Sequence, residues 1–235
     1  MTIQPHHPAL FADPDWHPPL PVAVLEQPAL RLDLSASNPH LSSVCVDDAQ
    51  AFGHWIQAQV TAASCRWAIG GYAEHRGLYA MSPLFGDGAA ARSLHLGVDC
   101  WLPAGTQVFA ARDGHVHSTG NNARFGDYGP TIILAHGTDE APLHTLYGHL
   151  DPASLELTRA GQAVRAGQLI GWLGQPTVNV GWPPHLHFQI IRNLGGYSGD
   201  FPGVCAASEA DAWLLRCPDP MPLFEQWCAD LLLNP

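Results

Sequence analysis

Residues 182–190 constrain the fold more than any other stretch: a tryptophan and two prolines precede alternating histidine and apolar residues. Proline is tolerated at the first residue of a strand but not in its middle, so the stretch predicts a strand that begins after the proline pair. Side chains alternate between the two faces of a strand. We therefore expect His185 and His187 on one face, and Leu186 and Phe188 in apolar packing on the other. Of two neighbouring imidazoles, one can bind a metal while the other transfers a proton.

Short runs rich in valine and isoleucine follow one another from about residue 94, separated by glycine, aspartate, asparagine and proline. This spacing predicts an all-β sheet or barrel. The runs are residues 95–102, 106–110, 114–118, 131–136, 143–149, 163–164, 169–173 and 185–192.

Three parts follow from these patterns. We predict an N-terminal arm and helix in residues 1–91 that pack on the core, a core domain in residues 92–192, and a C-terminal loop and helical extension in residues 193–235. The region between residues 92 and 192 holds the regularly spaced apolar runs, whereas the two flanking parts do not.

The flanking parts carry signals of their own. Prolines are frequent in residues 1–30, which predicts an extended arm laid over the domain surface. Residues 49–63 follow Asp48, a favourable residue for a helix N-terminus, and their apolar side chains fall on one stripe of a helix. Two short helices are expected near residues 209–215 and 223–232, the second after a series of prolines.

The charge of the chain excludes some partners. It has 21 acidic residues and 10 basic ones, all arginine, for a net charge of −11. An acidic chain repels the phosphates of nucleic acids and anionic membrane surfaces, so we expect no nucleic-acid partner. No apolar run approaches the roughly 18 residues of a transmembrane helix, so no membrane insertion is expected. The patterns do not predict an oligomeric state.

Residues 1–8 lack both the basic segment and the apolar segment of a secretory signal peptide. We therefore expect a cytoplasmic location, with a periplasmic or secreted one if the N-terminus is processed. In the cytoplasm the six cysteines are expected to be reduced and mostly buried.

A histidine and an aspartate four residues apart supply further candidate metal ligands. On a straight strand His95 and Asp99 would lie ~13 Å apart, too far to share an ion. Gly97 lies between them and permits a bend that other residues disfavour, which would bring the two side chains together. With one imidazole from His185 or His187, the set becomes two nitrogens and one oxygen. Three protein ligands with an open fourth position are typical of a catalytic zinc site.

Other polar residues are weaker candidates, each with an ordinary structural interpretation. Among the histidines we expect solvent-facing or hydrogen-bonded side chains, and for the tyrosine of the 147–150 motif a packed side chain. The others are expected to face the cleft or to cap a turn. For His136 we weigh support of a metal ligand against a hydrogen-bonded position in the core; for Asn179, polarisation of a substrate against capping of a turn. These candidates are His6, His7, Tyr79, Arg92, His115, His117, His136, Tyr147 and Asn179.

Two more motifs lie between these histidines. The first is Tyr147-Gly148-His149-Leu150, and the second is a glycine–glutamine hairpin in residues 159–174. Together with the motifs at residues 95–99 and 185–188, and in this order, they resemble the lysostaphin/LytM-type zinc metalloendopeptidases. The resemblance extends over about residues 92–191. It implies a mainly β fold with an antiparallel sheet or barrel-sandwich core of the LytM type, a duplicated hybrid motif, here with short helical extensions.

The resemblance also implies roles for single residues. By position, the ligands of Zn²⁺ are His95, Asp99 and His187, and the catalytic histidines are His149 and His185. The implied activity is that of a zinc-dependent metalloendopeptidase that hydrolyses a peptide or amide bond, with a peptide or a peptidoglycan-derived muropeptide as substrate. Zinc polarises a scissile carbonyl and acidifies water, and imidazoles transfer protons near neutral pH. Which histidine is base and which is acid stays open.

The alternative is a metal-bearing, non-catalytic binding or regulatory module of the same fold, with the N- or C-terminal extension blocking the groove. Relatives of that kind have lost ligands, whereas here every ligand position is intact. Lipoyl and biotinyl carriers share a similar architecture, but they need a lysine, and this chain has none. A phosphocarrier would not need the motif at residues 95–99.

The chain departs from secreted cell-wall hydrolases at residues 126–134, 181–184 and 202–205. There it resembles copies of the domain fused to aminotransferase proteins, which argues against a polymeric wall substrate. We predict a narrow groove floored by the sheet, with Trp182, Tyr147 and residues 125–128 as its walls.

Overall fold

The computed structural model describes residues 8–11, 14–138 and 140–234. In these residues the strands are β1 (Ala29–Leu32), β2 (Trp67–Gly70), β3 (Arg92–His95), β4 (Val98–Trp101), β5 (Gln107–Phe109), β6 (Gly114–Asn122), β7 (Gly129–Thr138), β8 (Ala141–Gly148), β9 (Ala163–Val164), β10 (Leu169–Trp172), β11 (His185–Ile191), β12 (Val204–Ala206) and β13 (Leu232–Leu233). The α-helices are α1 (Pro8–Phe11), α2 (Val22–Leu25), α3 (Ala49–Ala62), α4 (Ala153–Leu157), α5 (Ala210–Arg216) and α6 (Met221–Cys228). The mainly β fold with short helices is confirmed.

The largest sheet of the fold has nine strands. Its strand order is β13-β1-β2-β4-β11-β8-β7-β6-β9, and the pairs from β2 to β9 are antiparallel. β1 pairs in parallel with both β2 and β13. Two smaller antiparallel pairs, β5 with β10 and β3 with β12, complete the described sheet structure.

The parts flanking residues 92–192 contribute strands to this sheet. β1 and β2 precede residue 92 and β13 follows residue 192, yet all three extend the sheet beyond β4. The expected extended arm is interrupted, because residues 8–30 include α1, α2 and the start of β1. His6 and His7 lie outside the described residues.

Helix α3 forms where the sequence predicts it. The Asp48 carboxylate accepts hydrogen bonds from two backbone N–H groups of the first turn, at 2.8 and 3.1 Å. Phe52, Ile56 and Val60 lie on one stripe and are buried in a hydrophobic cluster with β1 and β2 residues. Capping and amphipathicity therefore define this helix locally, and its apolar stripe binds it to the sheet edge. No described helix has the length and hydrophobicity needed to cross a membrane.

Strand β11 separates the core from the polar face. Leu186 and Phe188 have no exposed surface and lie in the main hydrophobic cluster, as the alternation predicts. His185 and His187 alternate with them and therefore lie on the opposite face. Asp99 of β4 is directly opposite His187 in the register of the two strands.

Gly97 occupies the bend between β3 and β4. A Cβ at this position would lie 2.7 Å from the Phe188 carbonyl oxygen and 2.8 Å from Cε1 of His187. Real Cβ atoms do not approach that closely, so the backbone can pass β11 at this distance only with glycine. The bend sets His95, at the end of β3, beside Asp99 in β4.

All six cysteines are free thiols. Cys45 is exposed and the other five are buried. Burial raises the pKa of Cys217 to about 12, mainly by desolvation, so this thiol stays protonated at neutral pH.

Candidate metal centre

Three buried side chains converge on one point at the polar face of the sheet. They are His95, Asp99 and His187, whose candidate ligand atoms all lie within 4.8 Å of one another. Nε2 of His95 is 3.0 Å from Nδ1 of His187, which is 3.0 Å from Oδ1 of Asp99. Nε2 of His95 is 3.3 Å from the same oxygen. The structure thus brings together the three predicted ligands, and no other such group is found among the described residues.

The outward nitrogens of both rings are held by carbonyl oxygens. Nδ1 of His95 donates to the Gly71 carbonyl at 2.9 Å, which leaves its Nε2 lone pair facing inward. Gln189 donates its amide N–H to the Pro202 carbonyl, so its Oε1 faces Nε2 of His187 at 2.9 Å. Two lone pairs and a carboxylate oxygen therefore face one another at close range. A cation removes that repulsion, and this donor set fits zinc.

The second oxygen of Asp99 is bound by Arg76. The guanidinium donates from Nη1 to Oδ2 of Asp99, and its Nε lies 2.6 Å from Glu74. Arg76 is only 2% exposed. Burial alone would raise the pKa of Asp99, but His95 and Arg76 hold it well below its usual range. Only Oδ1 of Asp99 is thus turned toward the two histidine nitrogens.

His185 and His149 lie next to this group. Nδ1 of His185 donates to the Pro183 carbonyl at 2.8 Å, and its Nε2 is 3.9 Å from Oδ1 of Asp99. The rings of His185 and His149 are 4.1 Å apart between centroids, and the Trp101 ring stacks on His185 at 4.1 Å. His149 adopts a left-handed φ of 61°. That conformation is unfavourable for a residue with a side chain, and the fold enforces it here.

Both of these histidines are neutral at neutral pH. Burial lowers the pKa of His185 to about 4, against the opposing charge of Asp99. Burial, followed by the nearby His185 ring, lowers the pKa of His149 well below its ordinary value. A neutral imidazole whose Nδ1 is a donor has its Nε2 free to accept a proton.

A cavity of about 230 Å³ opens onto the site. Trp182 and residues 126–128 line it, as predicted for the groove walls, but Phe125 of the predicted segment does not line it. Tyr147 does not, and the prediction of Tyr147 as a wall is wrong: it is opposite Phe188 in the register and faces the core with it. The remaining wall residues come largely from the flanking parts, including Leu78, Tyr79, Leu84, Phe85, Phe201, Pro202 and Val204.

The weaker candidates divide into two groups. Tyr79 and Arg92 line the cavity. His136 lies apart from it, with Nδ1 2.9 Å from the Asp113 carbonyl and Nε2 2.8 Å from the Thr145 hydroxyl, so it is a hydrogen-bonded core histidine. Asn179 is fully buried and donates weakly to the Gly174 carbonyl in a turn, at 3.4 Å.

The pair His115 and His117 also lies away from the metal centre. His115 is exposed, and Nδ1 of His117 is 2.8 Å from the Ser118 hydroxyl. His115 is therefore solvent-facing and His117 is hydrogen-bonded, as the sequence predicts for this pair.

Sequence reasoning missed Gln189 and Arg76. Strand alternation could have indicated Gln189, which follows His187 by two residues and shares its face. Arg76 had a weaker signal: it is one of ten basic residues in a chain with only 13% charged residues. Its contact with Asp99 arises only because the loop after β2 folds back over the site.

Part of the chain is similar to known proteins. Residues 93–198 match peptidase family M23. An uncharacterized metalloprotease of Haemophilus influenzae is 37% identical over 99 residues, which are 42% of this chain and 19% of that protein. The peptidoglycan DD-endopeptidase ShyA of Vibrio cholerae is 37% identical over 97 residues, 41% of this chain and 20% of that protein.

A solved structure is also similar: the catalytic domain of the antimicrobial peptidase lysostaphin from Staphylococcus simulans. It has 27% identity over 57% of this chain and 80% of that chain, with a TM-score of 0.40. The matches to the two relatives span about a fifth of their lengths. The match to peptidase family M23 covers residues 93–198, less than half of this chain.

Proposed function

We propose that the chain is a zinc-dependent metallopeptidase that hydrolyses a peptide or amide bond. The observation that carries the proposal is the convergence of two inward imidazole lone pairs and one carboxylate oxygen, from His95, His187 and Asp99. A calcium site would require more oxygen ligands, and a soft metal would require thiolates. Two nitrogens and one oxygen, with space beside them, match the open catalytic site of zinc.

The chemistry that bound zinc supplies is polarisation of the scissile carbonyl and a lower pKa for water. The protein supplies the proton transfers. His185 is neutral, and its Pro183 contact turns Nε2 toward the ligand group, so it is placed to accept a proton from water. The ring of His149 lies 4.1 Å from that of His185, and its Nδ1 is unpartnered at the cavity, so it is placed to stabilise the oxygen that becomes negative.

The substrate we propose is a short peptide. ShyA is named as a peptidoglycan endopeptidase, and another relative, ALE-1 of Staphylococcus capitis, as a glycyl-glycine endopeptidase; ALE-1 is 32% identical over 42% of this chain and 25% of that protein. The flanking parts contribute much of the wall of the cavity, which has a volume of about 230 Å³, and the net charge is −11. Both features favour a small peptide, including one derived from peptidoglycan, over an anionic polymer.

The test is metal analysis of the purified chain combined with hydrolysis of muropeptides and simple peptides. We expect about one zinc per chain and turnover that chelation removes and zinc restores. Replacement His185→Ala is expected to keep the zinc and to lower turnover at least ~100-fold. His115→Ala, at an exposed histidine, is the matched control. Zinc binding without turnover of any peptide in the panel would favour the non-catalytic module.

A further inference from the structure

The lining of the cavity contains two groups of residues with unlike chemistry. One is charged: Arg124 and Asp127 form an ion pair at 3.0 Å, and Asp200 lines the cavity with them. The other is apolar, and its members belong to one hydrophobic cluster or pack against it. These residues, here called the apolar wall, are Leu78, Tyr79, Leu84, Phe85, Trp182 and Val204. The cavity therefore offers both a charged and an apolar surface to a ligand.

The apolar wall comes mainly from the flanking parts of the chain. All of its residues except Trp182 lie outside residues 93–198, the region that matches peptidase family M23. Four of them lie in the short 3₁₀ helices Gly77–Met81 and Pro83–Phe85, between β2 and β3, and Val204 lies in β12. The apolar wall is thus added to the metal centre by parts of the chain beyond the matched region.

The apolar wall begins directly beside the metal centre. The ring centroid of Tyr79 is 6.5 Å from that of His95. The ring centroid of Trp182 is 6.2 Å from those of His149 and His185. Consecutive Cα atoms of a peptide are about 3.8 Å apart, so a side chain that starts this close to the ligands belongs to a residue next to the cleaved bond.

Internal contacts hold the apolar wall in place. The rings of Tyr79 and Phe85 are 4.7 Å apart between centroids, and the Tyr79 hydroxyl accepts a hydrogen bond from Nη1 of Arg76 at 3.2 Å. Arg92 donates to the Leu84 carbonyl, and its guanidinium lies 5.6 Å from the centroid of the Phe85 ring. The two rings are therefore oriented before a ligand binds, which lowers the entropy cost of binding.

The volume of the cavity limits what can lie against the apolar wall. An apolar cavity of about 150 Å³ is large enough to bind benzene. The cavity here is about 230 Å³, which holds one ring of that size together with the peptide group that faces the metal. Two such rings would need roughly 300 Å³, so the cavity admits only one large side chain.

From this arrangement we infer that the apolar wall binds one aromatic or large aliphatic side chain of the substrate, on a residue next to the cleaved bond. The inference rests on the proposed peptidase function and narrows it, from peptides in general to those with an apolar residue at that position. Contact with the apolar wall removes the side chain and the wall from water, which is favourable. A glycine makes no such contact, and a charged side chain would lose its hydration there.

The test uses a blocked pentaglycine peptide whose central residue is glycine, phenylalanine or lysine. On the zinc-loaded full chain, kcat/KM is expected to be roughly tenfold or more higher for phenylalanine than for glycine, and lowest for lysine. Mass spectrometry identifies the cleaved bond, which is expected to be one of the two beside the central residue. A titration followed by NMR compares the binding of N-acetylphenylalaninamide and N-acetylglycinamide, and the same order is expected.

Two replacements of Leu84, which is only partly buried, connect the preference to the apolar wall. Leu84→Trp fills part of the cavity, and Leu84→Glu places a charge on the apolar wall. Each is expected to reduce the ratio of the phenylalanine to the glycine rate, and the ratio of the two binding constants, severalfold. Leu215→Trp and Leu215→Glu are the matched controls, because Leu215 is 59% exposed in α5 and lies away from the cavity. Both controls should keep the two ratios.

Three results would overturn the inference. The first is equal binding of the two amides by the unmodified chain. The second is a preference for phenylalanine that survives both replacements of Leu84. The third is faster hydrolysis of the lysine peptide than of the phenylalanine peptide, which would assign specificity to the carboxylates of Asp127 and Asp200.

The binding and hydrolysis measurements together distinguish the two proposals. A preference in binding without hydrolysis of any peptide rejects the peptidase and leaves the apolar wall as a binding site. Equal hydrolysis of the glycine and phenylalanine peptides with equal binding of the two amides leaves the peptidase and rejects the role of the apolar wall.

Discussion

Nε2 of His187 lies 2.9 Å from Oε1 of Gln189, two residues further along the same strand. The other end of the Gln189 amide contacts the Pro202 carbonyl at 3.2 Å and Sγ of Cys217 at 3.3 Å. The C-terminal part of the chain therefore fixes the orientation of the amide, and the amide fixes which nitrogen of His187 carries the proton. Such a contact orients a metal-binding imidazole and increases its basicity.

Replacement Gln189→Leu removes this acceptor with little change in volume. Nδ1 of His187 is then no longer held as the unprotonated nitrogen, so we expect zinc affinity to fall roughly 10- to 100-fold. Competition with a chromophoric chelator measures the change. Gln189→Glu keeps an acceptor oxygen and should bind zinc more tightly than the leucine variant. Gln57→Leu, on the exposed side of α3, is the control. Unchanged affinity in Gln189→Leu would show that the amide does not set the tautomer.

The charge of Arg76 links the metal centre to the stability of the fold. Asp99→Ala removes one of its two carboxylate partners and leaves the guanidinium buried with Glu74 alone. Removing one partner of a buried ion pair typically costs about 3 kcal/mol or more. We expect the metal-free variant to lose about that much free energy of unfolding in urea, and to bind no zinc in stoichiometric amount.

A second replacement tests the ion pair that remains. Arg76→Met in the Asp99→Ala background leaves the Glu74 carboxylate without its partner, so it should lower the stability further and should not restore the zinc. Asp211→Ala, at an exposed site in α5, is the control. Stoichiometric zinc in Asp99→Ala would contradict the assignment of this ligand.

The sequence predicted those parts of the site that depend on local geometry. Alternation along one strand places His185 and His187 on the same face, and Gly97 permits the bend beside Asp99. The sequence did not predict the contact of Arg76 with Asp99, because this contact depends on the pairing of β2 with β4. Nor did it predict the strands β1, β2 and β13, because short parallel pairings at a sheet edge have little periodicity of their own. Tyr147 was misplaced because its face depends on its register with β11.

His136 makes the stability of the fold depend on pH. Burial lowers its pKa from 6.5 to about 4 in the folded chain. Between these values the unfolded chain binds a proton that the folded chain does not, so stability is complete above pH 6.5 and decreases as the pH falls toward 4. The difference corresponds to a loss of up to about 3 kcal/mol.

Replacement His136→Gln removes this share of the pH dependence. We expect lower stability than the unmodified chain at pH 7.5, because the Asp113 and Thr145 contacts change, but a shallower decline from pH 6.5 to 4. Urea unfolding at a series of pH values measures both. His115→Gln, at an exposed histidine, should leave the slope as it is. An equally steep decline in His136→Gln would assign the pH dependence to the other buried histidines.

Gly97 is the residue on which the geometry of the metal centre depends most directly. In Gly97→Ala, the new methyl group would lie 2.7 Å from the Phe188 carbonyl oxygen and 2.8 Å from Cε1 of His187. One of these contacts is to backbone in the centre of the sheet, so the bend between β3 and β4 must move away from β11. Overpacking of this kind typically costs about 2 kcal/mol. Because the displaced segment carries both His95 and Asp99, zinc affinity should fall more steeply than stability.

Gly196→Ala, where a Cβ meets nothing within 4 Å, is the control. Unfolding in urea and zinc competition on the same samples measure the two effects, and a variant with unchanged zinc affinity would show that the bend can be formed without glycine.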